Sequence, residues 1–123
     1  MTRKVRTVTA GPDGRTSFGE REVEFHTIDG IVPGGVFDAA PLGANDVALV
    51  RFAPGFVSEY HLTPSPTWMF ILAGRLDLGT SDGEWAELGP GDIVHMSDTS
   101  GEGHRSRVLG DDDLVLATAG FGG

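Results

Sequence analysis

A chain of 123 residues with a net charge of −9 and no cysteine has room for one domain and one core. The acidic balance speaks against nucleic acid, whose binders carry basic patches, and the missing cysteines exclude disulfides, thiolate metal sites and a cysteine nucleophile. The opening MTRKVRTVTAGPDG lacks the apolar stretch of a signal peptide, and no apolar run approaches the ~20 residues of a membrane span. A cytoplasmic protein with no membrane partner is expected.

Along the chain, turn signals recur at GPDG (11–14), VPGG (32–35), APG (53–55), AGR (73–75), SDG (81–83), GPGD (89–92) and LGDDD (109–113). Between them lie alternating or apolar runs: EVEFHTI, DVALVRF, TWMFILA, LDLGT, EWAEL, DIVHM and LVLATA. Such runs read as short strands, and no window of helical length carries an apolar stripe. The fold class is therefore all-β, a sandwich or barrel. One domain is expected, with N-terminal strands and a loop in 1–45 that could help form a dimer, a barrel in 46–118 and a C-terminal tail in 119–123. Residues 29–46 read as a loop draped over the barrel edge or closing a subunit contact, and the aspartates at 111–113 as a solvated turn.

Side chains alternate along a strand. If 55–63 is extended, Glu59, His61 and Thr63 share one face, and Tyr60 and Leu62 take the other. On the next strand Thr67, Met69 and Ile71 form one row, with Trp68, Phe70 and Leu72 opposite. Two apolar faces place this strand at the centre of a sandwich or against a second subunit.

The spacing from Gly55 through His61, Thr63 and Thr67 to Gly74 resembles the first motif of the cupin superfamily, and GPGDIVHMSDTSGEGH (89–104) resembles the second, with Gly91 and Asp92 at its turn and His104 at its end. The two motifs cover roughly 46–118. The segment SDTSGEGH is also similar to one found in small single-domain bacterial cupins. The resemblance implies a cupin-type small β-barrel, or jelly roll, and a homodimer. It also implies that His61 and His104 stand at two metal-ligand positions, with Thr63 where a second histidine is usual and Thr67 where a glutamate is usual. Ser97 replaces the usual proline, Val108 an asparagine often found there, and two extra residues precede the glycine of the second motif. Cupins host oxygenases, isomerases, epimerases, lyases, cyclases and binding proteins, so the family leaves the activity open.

Three readings follow. In the first, His61 and His104 do proton transfer without metal, with Glu59 nearby. His61 is the base and His104 the acid or electrostatic partner. Thr63, Thr67 and Ser106 hold a small-molecule substrate by its oxygens, and Met69, Ile71, Phe52 and Trp85 line an apolar bowl. Isomerisation, epimerisation, β-elimination or dehydration, and cyclisation fit such a site. In the second, Glu59, His61 and His104 form a two-histidine, one-carboxylate set that weakly holds Fe, Mn, Ni or Zn for oxygenase or lyase chemistry. In the third, the domain binds a small ligand without turning it over, with Arg51, Arg75, Arg105 and Arg107 as a local exception to the acidic field. Tyr60 and Arg51 are further candidates for the pocket wall. His26 and His95 read as packed or exposed residues, and Asp98 as a loop cap with Thr99.

Overall fold

The computed structural model describes residues 1–31 and 33–120; Val32, and residues 121–123 of the expected tail, lie outside them. The described residues form eleven strands: β1 (Thr2–Ala10), β2 (Thr16–Glu24), β3 (His26–Ile28), β4 (Phe37–Ala39), β5 (Ala48–Phe52), β6 (Thr67–Ala73), β7 (Arg75–Thr80), β8 (Trp85–Leu88), β9 (Ile93–Met96), β10 (His104–Leu109) and β11 (Leu114–Ala119). The described residues contain no helix, and so none that is long and apolar enough to cross a membrane.

A six-stranded sheet in the order β2-β1-β9-β6-β11-β5 faces a three-stranded sheet in the order β10-β7-β8, and β3 and β4 pair as a small ribbon. All pairings are antiparallel except β1 with β9. This is the all-β architecture expected from the glycine-punctuated apolar runs. β6 is central because both its faces are apolar. Its Met69 and Ile71 join Val8, Val94, Met96, Leu114 and Leu116 in a core closed from the other sheet by Leu76, Leu78, Leu88 and Val108. Ile71, Leu78 and Leu114 are fully buried, each contributing about 1.5–3 kcal/mol through transfer from water.

Trp68 and Phe70, on the outer face of β6, form a second cluster with Val5, Ala119, Val23, Ile93 and Leu42. Leu42 comes from the loop-like 29–46 stretch, so that segment does drape over the sheet. It also contains β4, which the sequence did not suggest because VFDA is short and lies among glycines. β1 was not foreseen either. TRKVRTVTA carries three cationic or hydroxyl side chains before its first buried valine, Val5, yet β1 links β2 to the central strands. Ala119, assigned to the tail, ends β11, where it pairs with Trp68.

The clearest difference concerns residues 53–66. They form no strand; isolated bridges join Val57 to Arg107 and His61 to His104. Pro54, Pro64 and Pro66 cannot donate to a ladder, so the segment is pinned only at intervals. Ser58 N donates to Ser106 O at 2.8 Å, and Thr63 N donates to Asp98 O at 3.1 Å. Simple alternation therefore does not carry from His61 back to Glu59.

Candidate active site

The bridge between His61 and His104 builds the site. His61 N donates to His104 O at 2.9 Å, and His104 N donates to His61 O at 3.0 Å. Residues that exchange both hydrogen bonds project side chains to the same face, and the two imidazoles meet edge to face with centroids 4.4 Å apart. Gly103 makes this approach possible. It has φ of +80°, and a Cβ there would run into the carbonyl of His61. Gly101, with φ of +83°, passes equally close to the backbone of Gly14. The glycines before His104 are therefore needed to lay one chain segment on another.

Asp98 stands behind the pair. It lies in the loop between β9 and β10, is 0 % exposed, and uses both carboxylate oxygens. Thr63 Oγ1 donates to its Oδ1 at 2.7 Å, and His104 Nδ1 lies 2.6 Å from its Oδ2. A carboxylate accepts, so Nδ1 of His104 carries a proton, and in the neutral ring Nε2 is the nitrogen with the lone pair. His61 reaches the same tautomer by another route, because its Nδ1 lies 2.8 Å from the carbonyl oxygen of Glu59 and must donate to it. In both rings Nε2 is thus the nitrogen without a hydrogen-bond partner among the described residues, and both residues line one cavity.

That cavity, about 280 Å³, lies between the two sheets. The six-stranded sheet contributes Val50, Phe52, Thr67, Met69, Met96, Leu116 and Thr118; β7 and β10 contribute Leu76, His104, Ser106 and Val108; the 53–66 segment contributes Phe56, Ser58, His61, Leu62, Thr63 and Pro64. The wall is thus mostly apolar, interrupted by hydroxyls and two imidazoles. Among the expected residues His61, His104, Thr63, Thr67, Met69, Phe52 and Ser106 come together here. Ser106 lies two residues after His104, so its facing was readable from the strand period.

Trp85, expected to line the bowl, does not. It faces outward from the three-stranded sheet, lying over Gly79, with the guanidinium carbons of Arg105 and Arg107 at 4.7 and 4.1 Å from its ring. Alternation on a four-residue strand left its facing open. Ile71 lies deeper in the core and does not reach the cavity. Tyr60 is stacked on Arg105 at 4.8 Å, and Arg51 makes a two-pronged pair with Asp113. Arg75 pairs with Glu87 and Arg107 with Asp77, so none of the four arginines lines the cavity. Glu59 offers the site its backbone carbonyl, while its carboxylate joins neither the cavity wall nor a ligand cluster with the two histidines.

Sequence reasoning gave Asp98 to a loop cap and overlooked Ser58, Phe56 and Thr118. The available clue for Asp98 was its place in SDTSGEGH, a carboxylate six residues before a histidine and separated from it by two backbone-hugging glycines.

Two histidines joined across a bridge inside a small two-sheet barrel, the second reached through a glycine-rich turn, match a known pattern. The family model for the cupin domain matches residues 48–120. The chain belongs to the cupin family. No curated protein matches this cupin. Among solved structures it is similar to a Rhizobium leguminosarum bv. viciae 3841 protein of unknown function, with 28% identity, a TM-score of 0.52 and coverage of 65% of this chain and 72% of the other. It is also similar to a predicted oxalate decarboxylase from Thermotoga maritima, with 22% identity, a TM-score of 0.49 and coverage of 80% and 93%. A Neisseria meningitidis protein shares 16% identity at a TM-score of 0.48, over 80% of this chain and 82% of its own.

Many cupins hold a metal at this place, so the donor set of this cupin is the relevant test. His61 and His104 provide two imidazoles. Thr63 and Thr67 occupy the other two positions, and their hydroxyls donate to Asp98 and to Ser65 O respectively. Asp98 is occupied on both oxygens, and the described residues contain no group of three His, Cys, Asp or Glu side chains able to surround an ion. Two imidazoles with bound hydroxyls do not fit the three or four strong ligands such an ion takes.

Proposed function

We propose that this cupin is a small-molecule enzyme of the isomerase, dehydratase or cyclase kind, moving a proton next to a carbonyl with His104 as base and His61 as its acid partner. One observation carries the reading: a fully buried carboxylate holds Nδ1 of His104 and leaves Nε2 as the free basic atom in a mainly apolar cavity. The roles are the reverse of those expected from the sequence. Only His104 has an anion behind it to stabilise the imidazolium that forms, whereas His61 is exposed and its Nδ1 meets a neutral carbonyl.

In the step, the C–H bond beside the substrate carbonyl breaks, its electron pair enters the enolate, and the proton goes to Nε2 of His104. Asp98 offsets the new charge. His61, exposed at the mouth, takes a proton from solvent on Nε2 and passes it to the enolate oxygen or to a leaving hydroxide, and its Nδ1 keeps the proton that it donates to the Glu59 carbonyl. Ser106 and Ser58 line the same wall, and their hydroxyls orient the substrate oxygen.

The homodimer belongs to this reading. β5 is an open sheet edge; Leu49 on it and Val47 just before it expose apolar side chains, as does Leu72 on β6, one strand in from the edge pair, the kind of surface a second copy covers. Light scattering on the wild type and on Leu49→Lys with Leu72→Lys gives a dimer for the first and a monomer for the second; a monomeric wild type contradicts the pairing.

The activity is tested by following exchange of α-carbonyl protons with D2O by NMR across a panel of small ketones and hydroxyketones. Catalysed exchange that falls by ~10²-fold or more in His104→Gln supports the reading. Binding without exchange for every compound makes the domain a binding module, and exchange unchanged in the variant removes His104 from the step.

A further inference from the structure

One polar group on the cavity wall has no role in the fold. Thr118, on β11, lines the cavity and is 7 % exposed, and its Oγ1 is buried with no hydrogen-bond partner among the described residues. Thr63 and Thr67 line the same cavity, and both hydroxyls are bonded. A buried hydroxyl left unpaired lowers stability relative to a methyl of the same shape. As it stands Oγ1 is closed off from the cavity that Thr118 lines, and a change of χ1 between staggered wells, which breaks no hydrogen bond, brings it to a bound molecule in exchange for the methyl.

Its position gives it meaning. Thr118 belongs to the six-stranded sheet, whereas His104 and Ser106 belong to the three-stranded sheet. Facing sheets pack ~10 Å apart, so the hydroxyl and the imidazole pair lie on opposite walls. Among the described residues no Lys or Arg lines the space between them, and the carboxylate of Asp98 behind it is already buried. An anion entering there meets no fixed cation, and burial of an unpaired charge is costly. About 280 Å³ lies at the small end of ligand pockets.

We propose, building on the acid/base reading of the site, that Thr118 is a specificity-determining residue. The cavity takes an uncharged, mainly apolar molecule of metabolite size with two oxygens, a carbonyl at the histidine pair and a hydroxyl or second carbonyl on Thr118. The missing partner of Thr118 Oγ1 is then the far oxygen of the substrate.

Three probes separate the terms: 4-hydroxyacetophenone, acetophenone, which lacks the far hydroxyl, and 4-acetylbenzoate, which replaces it with a charge. Each is titrated by NMR into the wild type, Thr118→Val and Thr118→Ser. The wild type binds 4-hydroxyacetophenone about tenfold more tightly than acetophenone and 4-acetylbenzoate most weakly. In Thr118→Val the first two bind alike, and Thr118→Ser restores the difference. The unliganded Thr118→Val protein melts at a higher temperature than wild type, which also shows that the variant folds. A preference for 4-hydroxyacetophenone that survives in Thr118→Val overturns the proposal, as does tight binding of 4-acetylbenzoate, or no binding of any probe at millimolar concentration. The ring resonances of His61 and His104 distinguish the two levels. If acetophenone moves them while the preference ignores Thr118, the Thr118 assignment fails alone; if no bound probe moves them, the site reading fails with it.

Discussion

Two histidine environments in this molecule make opposite use of the same side chain. In the cavity, Nδ1 of His104 donates to a buried carboxylate, and Nδ1 of His61 donates to a carbonyl. On the outer face of the six-stranded sheet, His95 lies against Trp68 with ring centroids 4.5 Å apart, and its Nδ1 lies 3.3 Å from Arg21 Nη1. A guanidinium only donates, so His95 accepts at Nδ1 and carries its proton on Nε2. Burial, then the charge of Arg21, holds its pKa below the usual histidine value. The first environment leaves a basic nitrogen free and places an anion behind it. The second uses the ring as a neutral packing piece beside a cation. A histidine is equipped for proton transfer by the partner of its other nitrogen.

Disrupting the two environments has graded effects. The largest is His104→Gln, with a loss of ~10²-fold or more in proton exchange, while His95→Gln leaves exchange within about twofold. Asp98→Asn follows, because its amide presents a donor toward His104 Nδ1 or loses Thr63, and the ring is driven to the other tautomer. Exchange falls by on the order of 10-fold to 10²-fold and stability by about 1–3 kcal/mol, read by urea unfolding. Gly103→Ala strains a left-handed residue by about 1–2 kcal/mol and drives Cβ toward the His61 carbonyl. It therefore destabilises more than Gly83→Ala, where φ is +93° and nothing lies within 4 Å. His95 gives a pH effect. Because its folded pKa is depressed, the unfolded chain takes up the proton first, so stability is full above pH ~6.5 and declines as pH falls through the lower folded value. The His95→Gln variant loses that part of the acid-side slope in urea midpoints taken between pH 8 and 5. The smallest effect is Glu59→Gln, which leaves exchange unchanged, because the backbone carbonyl is the part of Glu59 that holds His61.

Much of the fold was legible because β6, TWMFILA, advertises two apolar faces and the glycine turns set the strand lengths. The pairing of His61 with His104 followed from the two motifs, and the facing of Ser106 from strand period. The rest depended on distances no period encodes. Glu59 fell out of the site because three prolines break the ladder around it. Trp85 faced outward because a short strand can be read in either phase. Asp98 and Thr118 looked like a loop residue and a strand residue. Their importance comes from burial, complete for one and nearly so for the other, and from partners supplied or withheld by another sheet.

The measurement to make first is a long-range proton–nitrogen correlation spectrum of the four histidine rings at neutral pH. His61 and His104 are expected to carry their proton on Nδ1 with an unprotonated Nε2, and His95 to show the opposite tautomer in the same sample. His104 protonated on Nε2, with the pattern of His95, would contradict the assignment of its free nitrogen as the base of the site.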